Sequence, residues 1–158
     1  MIRKKILLLG DFNVGKTSLI RRYVDNTFDD KYLTTIGVKI SKTLCTIDEI
    51  SCEMIIWDIE GATPSKEIPL HYYRGASGAI FVADVNRKET LENLEKHQAV
   101  FLAQNPDSSF VIAYNKSDLL LEKEKDTFTL EKYTFFTSAK EDINIETVFL
   151  ALMEQIIQ

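Results

Sequence analysis

The sequence contains little cysteine, proline or glycine. Its 158 residues include two cysteines, three prolines and six glycines. So little proline and glycine excludes collagen-like and linker-like sequence. The two thiols have no CxxC spacing and no secretion signal, so we expect Cys45 and Cys52 to be reduced rather than joined by a disulfide across a hairpin.

Long apolar runs are also missing. No stretch approaches the roughly 18 residues of a membrane span, and the short apolar run at 6–9 is not followed by the small-residue cleavage site of a signal peptide. No cysteine for prenylation follows Cys52, and Ile2 stands where N-myristoylation needs glycine. We therefore expect a cytoplasmic protein with no intrinsic membrane anchor.

The chain has no excess of positive charge. Its 19 basic and 24 acidic residues give a net charge of −5, which provides no electrostatic reason to bind nucleic acid or an anionic membrane. Charged residues make up 27% and hydrophobic residues 45%, as in ordinary globular proteins. This length and composition predict a single domain over residues 1–158.

Short apolar runs alternate with helical patterns along the chain. Continuous apolar runs predict parallel strands buried on both faces at Ile6–Leu9, Ala79–Ala83 and Phe110–Tyr114. Alternating residues predict a half-exposed edge strand over 38–47, a turn at 48–49, a strand over 51–57 and a sixth strand over 133–136. The pattern predicts an α/β fold with a mostly parallel six-stranded sheet flanked by helices.

Helices are predicted between these strands. One begins near Gly15 and runs to about Val24; a second begins at a capping-box pattern over 86–89 and extends to Leu102. Apolar residues at helical spacing predict a third helix over 145–156. The charged segment 121–126 is expected to be a solvated turn or loop.

Residues 10–17 form the clearest motif. They read G-D-F-N-V-G-K-T, which fits the pattern G-x-x-x-x-G-K-[ST] between a predicted strand and a predicted helix. Glycines let the backbone curl until its N–H groups face phosphate oxygens, and the helix N-terminus adds its dipole. We expect Lys16 to reach the β- and γ-phosphates and Thr17 to ligate Mg²⁺. A glycine-bounded turn with an incidental lysine is the weaker alternative.

Two later segments predict which base is bound. Asn115-Lys116-Ser117-Asp118 follows the strand over 110–114, where a loop faces the ligand edge of a sheet. An aspartate there accepts the N1–H and 2-amino groups of guanine, a pair of donors that adenine lacks. Thr137-Ser138-Ala139-Lys140 follows the last strand and offers a backbone N–H to guanine O6. A P-loop ATPase or kinase is the disfavoured alternative.

Together these segments resemble the Ras superfamily of small GTPases, and the Rab family most closely. The resemblance extends over essentially the whole chain and includes Thr34–Val38 in switch I, Trp57–Gly61 in switch II and His71–Ala76 at the end of switch II. It implies a P-loop NTPase G domain that binds GTP or GDP with Mg²⁺. It also implies that effectors and regulators bind residues 27–40 and 60–75.

The resemblance also implies roles for individual residues. Those expected to contact the nucleotide are Asn13, Val14, Gly15, Lys16, Thr17, Ser18, Phe28, Asn115, Lys116, Asp118, Ser138, Ala139 and Lys140. Those expected at the magnesium ion are Thr17, Thr35 and, through water, Asp58. The candidate catalytic residues are Lys16, Thr35, Glu60 and Gly61.

Three departures from the family pattern affect the predicted activity. Ala62 stands where the family has its catalytic glutamine, Phe12 occupies a usually small P-loop position, and the segment between Asp118 and Ser138 is short for a full helix. We expect a slow GTPase, at or below roughly 10⁻⁴ per second, the order of an unassisted Ras-type enzyme. The alternative is a hydrolysis-deficient, GTP-bound interaction module that acts through its switch segments.

The remaining polar residues form no recognisable catalytic set. His71 and His97 have no nearby cysteine or ligand-spaced carboxylate, so we interpret both as surface or core histidines and not as metal ligands. No nucleophile–base pair can be assembled. Trp57 is expected to be a packed residue between the switches.

Overall fold

The structure is a computed structural model that describes residues 1–26, 37–59 and 67–158. Six strands form one sheet in the order β2-β3-β1-β4-β5-β6. Their bounds are β1 Ile2–Leu9, β2 Val38–Ile47, β3 Ile50–Ile59, β4 Gly78–Asp84, β5 Ser109–Asn115 and β6 Thr134–Phe136. β2 pairs antiparallel with β3, and the remaining neighbours are parallel, which confirms the predicted α/β fold.

Helices cover both faces of this sheet. Their bounds are α1 Lys16–Asp25, α2 Lys88–Glu92, α3 Leu94–Gln104, α4 Glu122–Lys125 and α5 Ile145–Ile157. Because successive strand residues point to opposite faces, Ile6 packs in the core that includes α1 and α5, whereas Leu7 packs in the core that includes α3. The central strands are therefore buried on both faces. None of the described helices is both long and apolar enough to cross a membrane.

The β2–β3 hairpin has the predicted turn. Asp48 and Glu49 have φ values of 46° and 68°, the left-handed geometry of a two-residue turn that follows the twist of the strands. The pairing places Cys45 opposite Cys52, and both are free thiols with sulfur atoms 3.1 Å apart. Burial, with the contact to Cys52, raises the pKa of Cys45 to about 12.

The predicted helix after residue 86 differs from the structure. Asn86 does not cap it, because its side chain donates to Asp84 Oδ1 and to the carbonyl of Lys116. The helical segment begins instead at Lys88 and divides into α2 and α3 at Asn93. The capping-box prediction was therefore wrong, since the long-range contacts of Asn86 competed with local capping.

The segment 121–126, predicted to be a solvated turn or loop, contains one turn of helix. Residues 122–125 form α4, a single helical turn in which the backbone N–H of Leu121 donates to Glu124 Oε1. The segment is solvated, as expected, because none of its helical residues is buried. Next to it, Phe128 contacts the rings of Tyr114 and Phe136 at centroid distances of 5.7 and 5.5 Å. This aromatic cluster packs the short segment between Asp118 and Ser138 against β5 and β6.

Candidate nucleotide-binding site

The predicted binding segments meet at one edge of the sheet. The loops over 10–15 and 115–118 follow β1 and β5, and the loop over 137–140 follows β6. Since these strands are parallel, their carboxyl ends lie at the same edge, which is where α/β sheets bind ligands.

Glycine is required at both ends of the loop over 10–15. A Cβ on Gly10 would lie 2.2 Å from the carbonyl oxygen of Val82 in the adjacent strand. A Cβ on Gly15 would lie 2.3 Å from Asn115 Nδ2, and its φ of 102° also favours glycine. The loop can therefore pass this close to β4 and to Asn115 only without side chains at these positions.

Lys16 is held inside the loop. Its side chain extends back so that Nζ donates to the carbonyls of Gly10 at 3.2 Å and Asp11 at 2.9 Å, and the residue is only 6% exposed. The pKa of Lys16 is lowered to about 8, chiefly because the group is buried; the charges of Asp58 and Asp11 partly offset this effect, and the charge of Arg87 adds to it. A phosphate group in the loop would supply the anion that such a buried ammonium lacks.

The carbonyls of Asn13 and Val14 accept hydrogen bonds from side chains outside the loop. Asn115 Nδ2 donates to the Val14 carbonyl at 2.9 Å, and Lys116 Nζ and Arg87 Nη1 both donate to the Asn13 carbonyl at 3.1 Å. Because the C=O and N–H on either side of a peptide bond point in opposite directions, these contacts favour N–H groups that face into the loop. Such a concave set of N–H groups is a phosphate cradle.

Two oxygen ligands suited to a magnesium ion lie beside the loop. Thr17, in the first turn of α1, donates its hydroxyl to Asp58 Oδ2 at 2.6 Å, and Asp58 is buried near the end of β3. Mg²⁺ prefers oxygen ligands and is commonly held by one or two protein groups together with substrate phosphates and water. The chemistry and placement of Thr17 and Asp58 fit that requirement.

The predicted base-reading residues are also brought together. Ser138 Oγ donates to Asp118 Oδ1 at 2.7 Å, which links the loop after β5 to the loop after β6. Thr137 Oγ1 donates to Asn115 Oδ1 at 3.1 Å, and Lys116 Nζ lies 3.1 Å from Asp84 Oδ2. These contacts hold Asp118 and the loop over 137–140 in one place, as a base-reading site requires.

Four further residues contact these loops, and the sequence motifs did not reveal them. Arg87 donates to the Phe12 and Asn13 carbonyls, Asn93 and His97 contact the Asp11 carboxylate, and Arg22 donates to the carbonyls of the loop over 137–140. Asp11 is an acidic residue inside the P-loop, and it is the sequence feature that could have indicated polar partners such as Asn93 and His97. His97 is neither an exposed nor a purely apolar core residue.

Comparison with known proteins identifies the family that has this fold and site. A family model described as the Ras family matches residues 5–158. The chain belongs to the Ras family. It is also 35% identical over 161 residues to the Ras-related protein RABA1f of Arabidopsis thaliana, an alignment that covers 96% of this chain and 74% of that protein. The prediction of a Rab-like small GTPase is therefore confirmed.

Several residues expected to serve in this Ras-family site lie outside the described residues. They are Phe28, Thr35, Glu60, Gly61 and Ala62. Their roles remain predictions from the sequence. Ser18, also expected at the nucleotide, lies in the first turn of α1 and is half-buried.

The described parts of the switch region expose an apolar surface. Ile40 on β2 is 47% exposed, whereas the half-buried Trp57 on β3 packs at the edge of the core that includes α3. The Trp57 ring lies 6.1 Å from that of Tyr72, and Lys5 Nζ lies 3.7 Å from its centroid. The packed role expected for Trp57 agrees with these contacts.

Proposed function

We propose that this Rab-like GTPase is a slow molecular switch that binds GTP and GDP with Mg²⁺ and has a weakened hydrolytic step. The observation that carries the proposal is a contrast within the chain. Hydrogen bonds position the described phosphate-binding and base-reading residues, whereas the catalytic glutamine position holds Ala62. Nucleotide binding is therefore retained where catalysis is impaired.

Binding and orientation are the tasks assigned to the described residues. Lys16 and the N–H groups of the loop over 13–17 bind the phosphates, while Asp118 orients the guanine. Thr17, Thr35 and, through water, Asp58 would hold a magnesium ion, which would supply charge neutralisation for phosphoryl transfer. Phosphoryl transfer relies mostly on such positioning and charge stabilisation.

The mechanism lacks the residue that would orient the attacking water. A glutamine orients this water in the family, and the methyl group of Ala62 has no polar atom to replace it. Glu60 is the candidate that the sequence offers instead, but another anion at the γ-phosphate would oppose the charge on the transferring group. Phe12, 39% exposed at the rim of the loop, adds bulk where an arginine from an activating partner would approach.

The output of the switch is binding of partner proteins. We assign effector and regulator contacts to residues 27–40 and 60–75, which include the exposed Ile40 and Leu70 and the partly buried Tyr72. Exposed apolar side chains of this kind are typical of protein interaction sites. We also propose that the protein acts in the cytoplasm, where the free thiols of Cys45 and Cys52 would stay reduced.

Single-turnover hydrolysis of bound GTP tests this proposal. We expect a wild-type rate at or below about 10⁻⁴ per second, an increase in Ala62→Gln, no loss in Glu60→Ala and no change in the exposed control Lys88→Ala. A wild-type rate tenfold above that ceiling that is lost in Glu60→Ala would contradict the proposal and make Glu60 the catalytic residue.

The nucleotide retained through purification distinguishes the alternative function. Bound GDP supports a slow switch, whereas bound GTP with no measurable turnover, even in Ala62→Gln, supports a GTP-bound interaction module. Bound ATP would contradict both.

A further inference from the structure

Arg87 contacts the backbone of the P-loop from the other side of the site. It lies directly before α2, and its Nη1 and Nη2 atoms are 3.2 and 3.1 Å from the Phe12 carbonyl. Nη1 is also 3.1 Å from the Asn13 carbonyl, and Nε is 3.4 Å from Glu89 Oε1. The planar guanidinium presents its N–H donors in a fixed fork, which here reaches two neighbouring carbonyls at once.

The geometry of Asn13 explains why such a bridge matters. Asn13 has a φ of 62°, in the left-handed region that glycine enters most readily. Its carbonyl accepts hydrogen bonds from both Arg87 and Lys116. Two cations therefore bind the carbonyl of a loop residue with left-handed backbone geometry, which asparagine adopts more readily than most other residues.

A second pair of contacts holds the start of the same loop. Asn93 Nδ2 donates to Asp11 Oδ2 at 2.7 Å, and His97 Nε2 lies 2.7 Å from Asp11 Oδ1. The side chains of Asp11 and His97 are only 15% and 11% exposed. Both carboxylate oxygens of Asp11 are thus bound by side chains of the α2–α3 segment.

We propose that residues 87–97, from the residue before α2 to the first turn of α3, clamp the phosphate-binding loop. Arg87, Asn93 and His97 are the positioning residues, and they act on nucleotide retention. The clamp acts through the Phe12 and Asn13 carbonyls and the Asp11 carboxylate. It keeps the Phe12 and Asn13 carbonyls turned outward, and it keeps the neighbouring backbone N–H groups of the loop turned toward the phosphates. The proposal rests on guanine-nucleotide binding by this Ras-family chain.

The rate at which bound nucleotide dissociates tests Arg87. Fluorescent N-methylanthraniloyl-GDP is displaced by excess GDP in the presence of Mg²⁺. We expect dissociation to be about tenfold faster in Arg87→Ala, as loss of charge-assisted hydrogen bonds implies, and intermediate in Arg87→Lys. The matched control Lys88→Ala, whose side chain is 88% exposed, is expected to match the wild type.

Hydrogen exchange distinguishes a clamp from a general structural role. In the GDP-bound Arg87→Ala protein, the amides of residues 13–16 are expected to exchange faster, whereas those of residues 137–140 stay unchanged. A GDP dissociation rate in Arg87→Ala within twofold of the rate in Lys88→Ala would overturn the role of Arg87. Faster amide exchange over residues 13–16 and 137–140 alike would overturn it as well. A wild-type chain that retains no guanine nucleotide would instead contradict the underlying binding function.

A mutant cycle tests His97 independently. We expect His97→Ala to dissociate several-fold faster than the exposed control Lys96→Ala in the wild-type background. In an Asp11→Ala background, His97→Ala is expected to have no further effect, because its contact acts through the Asp11 carboxylate. If the increases in dissociation rate caused by Asp11→Ala and His97→Ala multiply in the double variant, His97 acts elsewhere, and this part of the clamp is overturned.

Discussion

We expect guanine selectivity to depend on one carboxylate, that of Asp118, and on the Ser138 hydroxyl that binds it. Ser138 Oγ donates to Asp118 Oδ1, so the carboxylate has a fixed orientation before the base is bound. A preoriented acceptor pair favours guanine and leaves a buried carboxylate unpaired against adenine.

This residue-scale contact predicts a change of base specificity. In Asp118→Asn, one acceptor becomes a donor, which mismatches guanine and matches the 2-oxo group of xanthine. We expect GTP affinity to fall by at least about 2 kcal/mol while xanthosine triphosphate binds more tightly. Titration calorimetry measures both, with the exposed Asp107→Asn as control. Unchanged GTP affinity in Asp118→Asn would show that this loop does not read the base.

At the scale of elements, the end of α1 is joined to the base-reading loop. Arg22 Nε donates to the Ala139 carbonyl at 2.7 Å, and Nη2 donates to the Lys140 carbonyl at 2.9 Å. The same helix starts at Lys16 in the phosphate-binding loop. One helix therefore joins the phosphate end of the site to its base end.

Removing this link should weaken nucleotide retention. We expect GDP to dissociate about three- to tenfold faster from Arg22→Ala, because two carbonyls of the base loop lose a shared donor. Stopped-flow displacement of fluorescent GDP measures the rate, and Arg21→Ala on the same helix is the control. Equal rates in the two variants would show that Arg22 does not stabilise the base loop.

The packing of α5 against α1 also operates between elements. The Phe149 ring stacks on Tyr23 with centroids 4.0 Å apart and planes 4° from parallel, and Phe149 is buried. We expect Phe149→Ala to lower the free energy of unfolding by about 3–5 kcal/mol, because it creates a cavity in the core. Urea unfolding at saturating GDP measures this loss. The exposed Glu154→Ala should change stability by less than about 0.5 kcal/mol. A loss below about 1 kcal/mol in Phe149→Ala would contradict the cavity argument.

Across the whole molecule, we expect a bound nucleotide to join the loops that follow β1, β5 and β6. A ligand that binds only the folded chain stabilises it by about 4 kcal/mol at a thousandfold excess over Kd. For a domain of this size, we expect GDP with Mg²⁺ to raise Tm by about 10 °C relative to stripped protein. Scanning calorimetry measures the shift, with ADP as the control ligand. An equal shift with ADP would contradict guanine selectivity.

The sequence predicted different parts of this molecule unequally well. Ile6–Leu9 was recognised as a buried strand because both faces of the chain are apolar there, and the structure extends it to β1. The capping box at 86–89 failed because Asn86 bonds Asp84 and the Lys116 carbonyl instead. The one-turn helix at 122–125 was missed because four charged residues carry no apolar periodicity.

The amino-acid sequence by itself determined the six strands, the helical segments that became α1, α2–α3 and α5, and the segments expected to bind phosphate and base. These features depend on local periodicity and on motifs of eight residues or fewer. Only the tertiary structure decided which other residues hold those loops. Arg87 meets Phe12 across 75 residues of sequence, and His97 meets Asp11 across 86. Such contacts leave no periodic signal, because they exist only when the packing of the helices on the sheet brings distant side chains to the same edge.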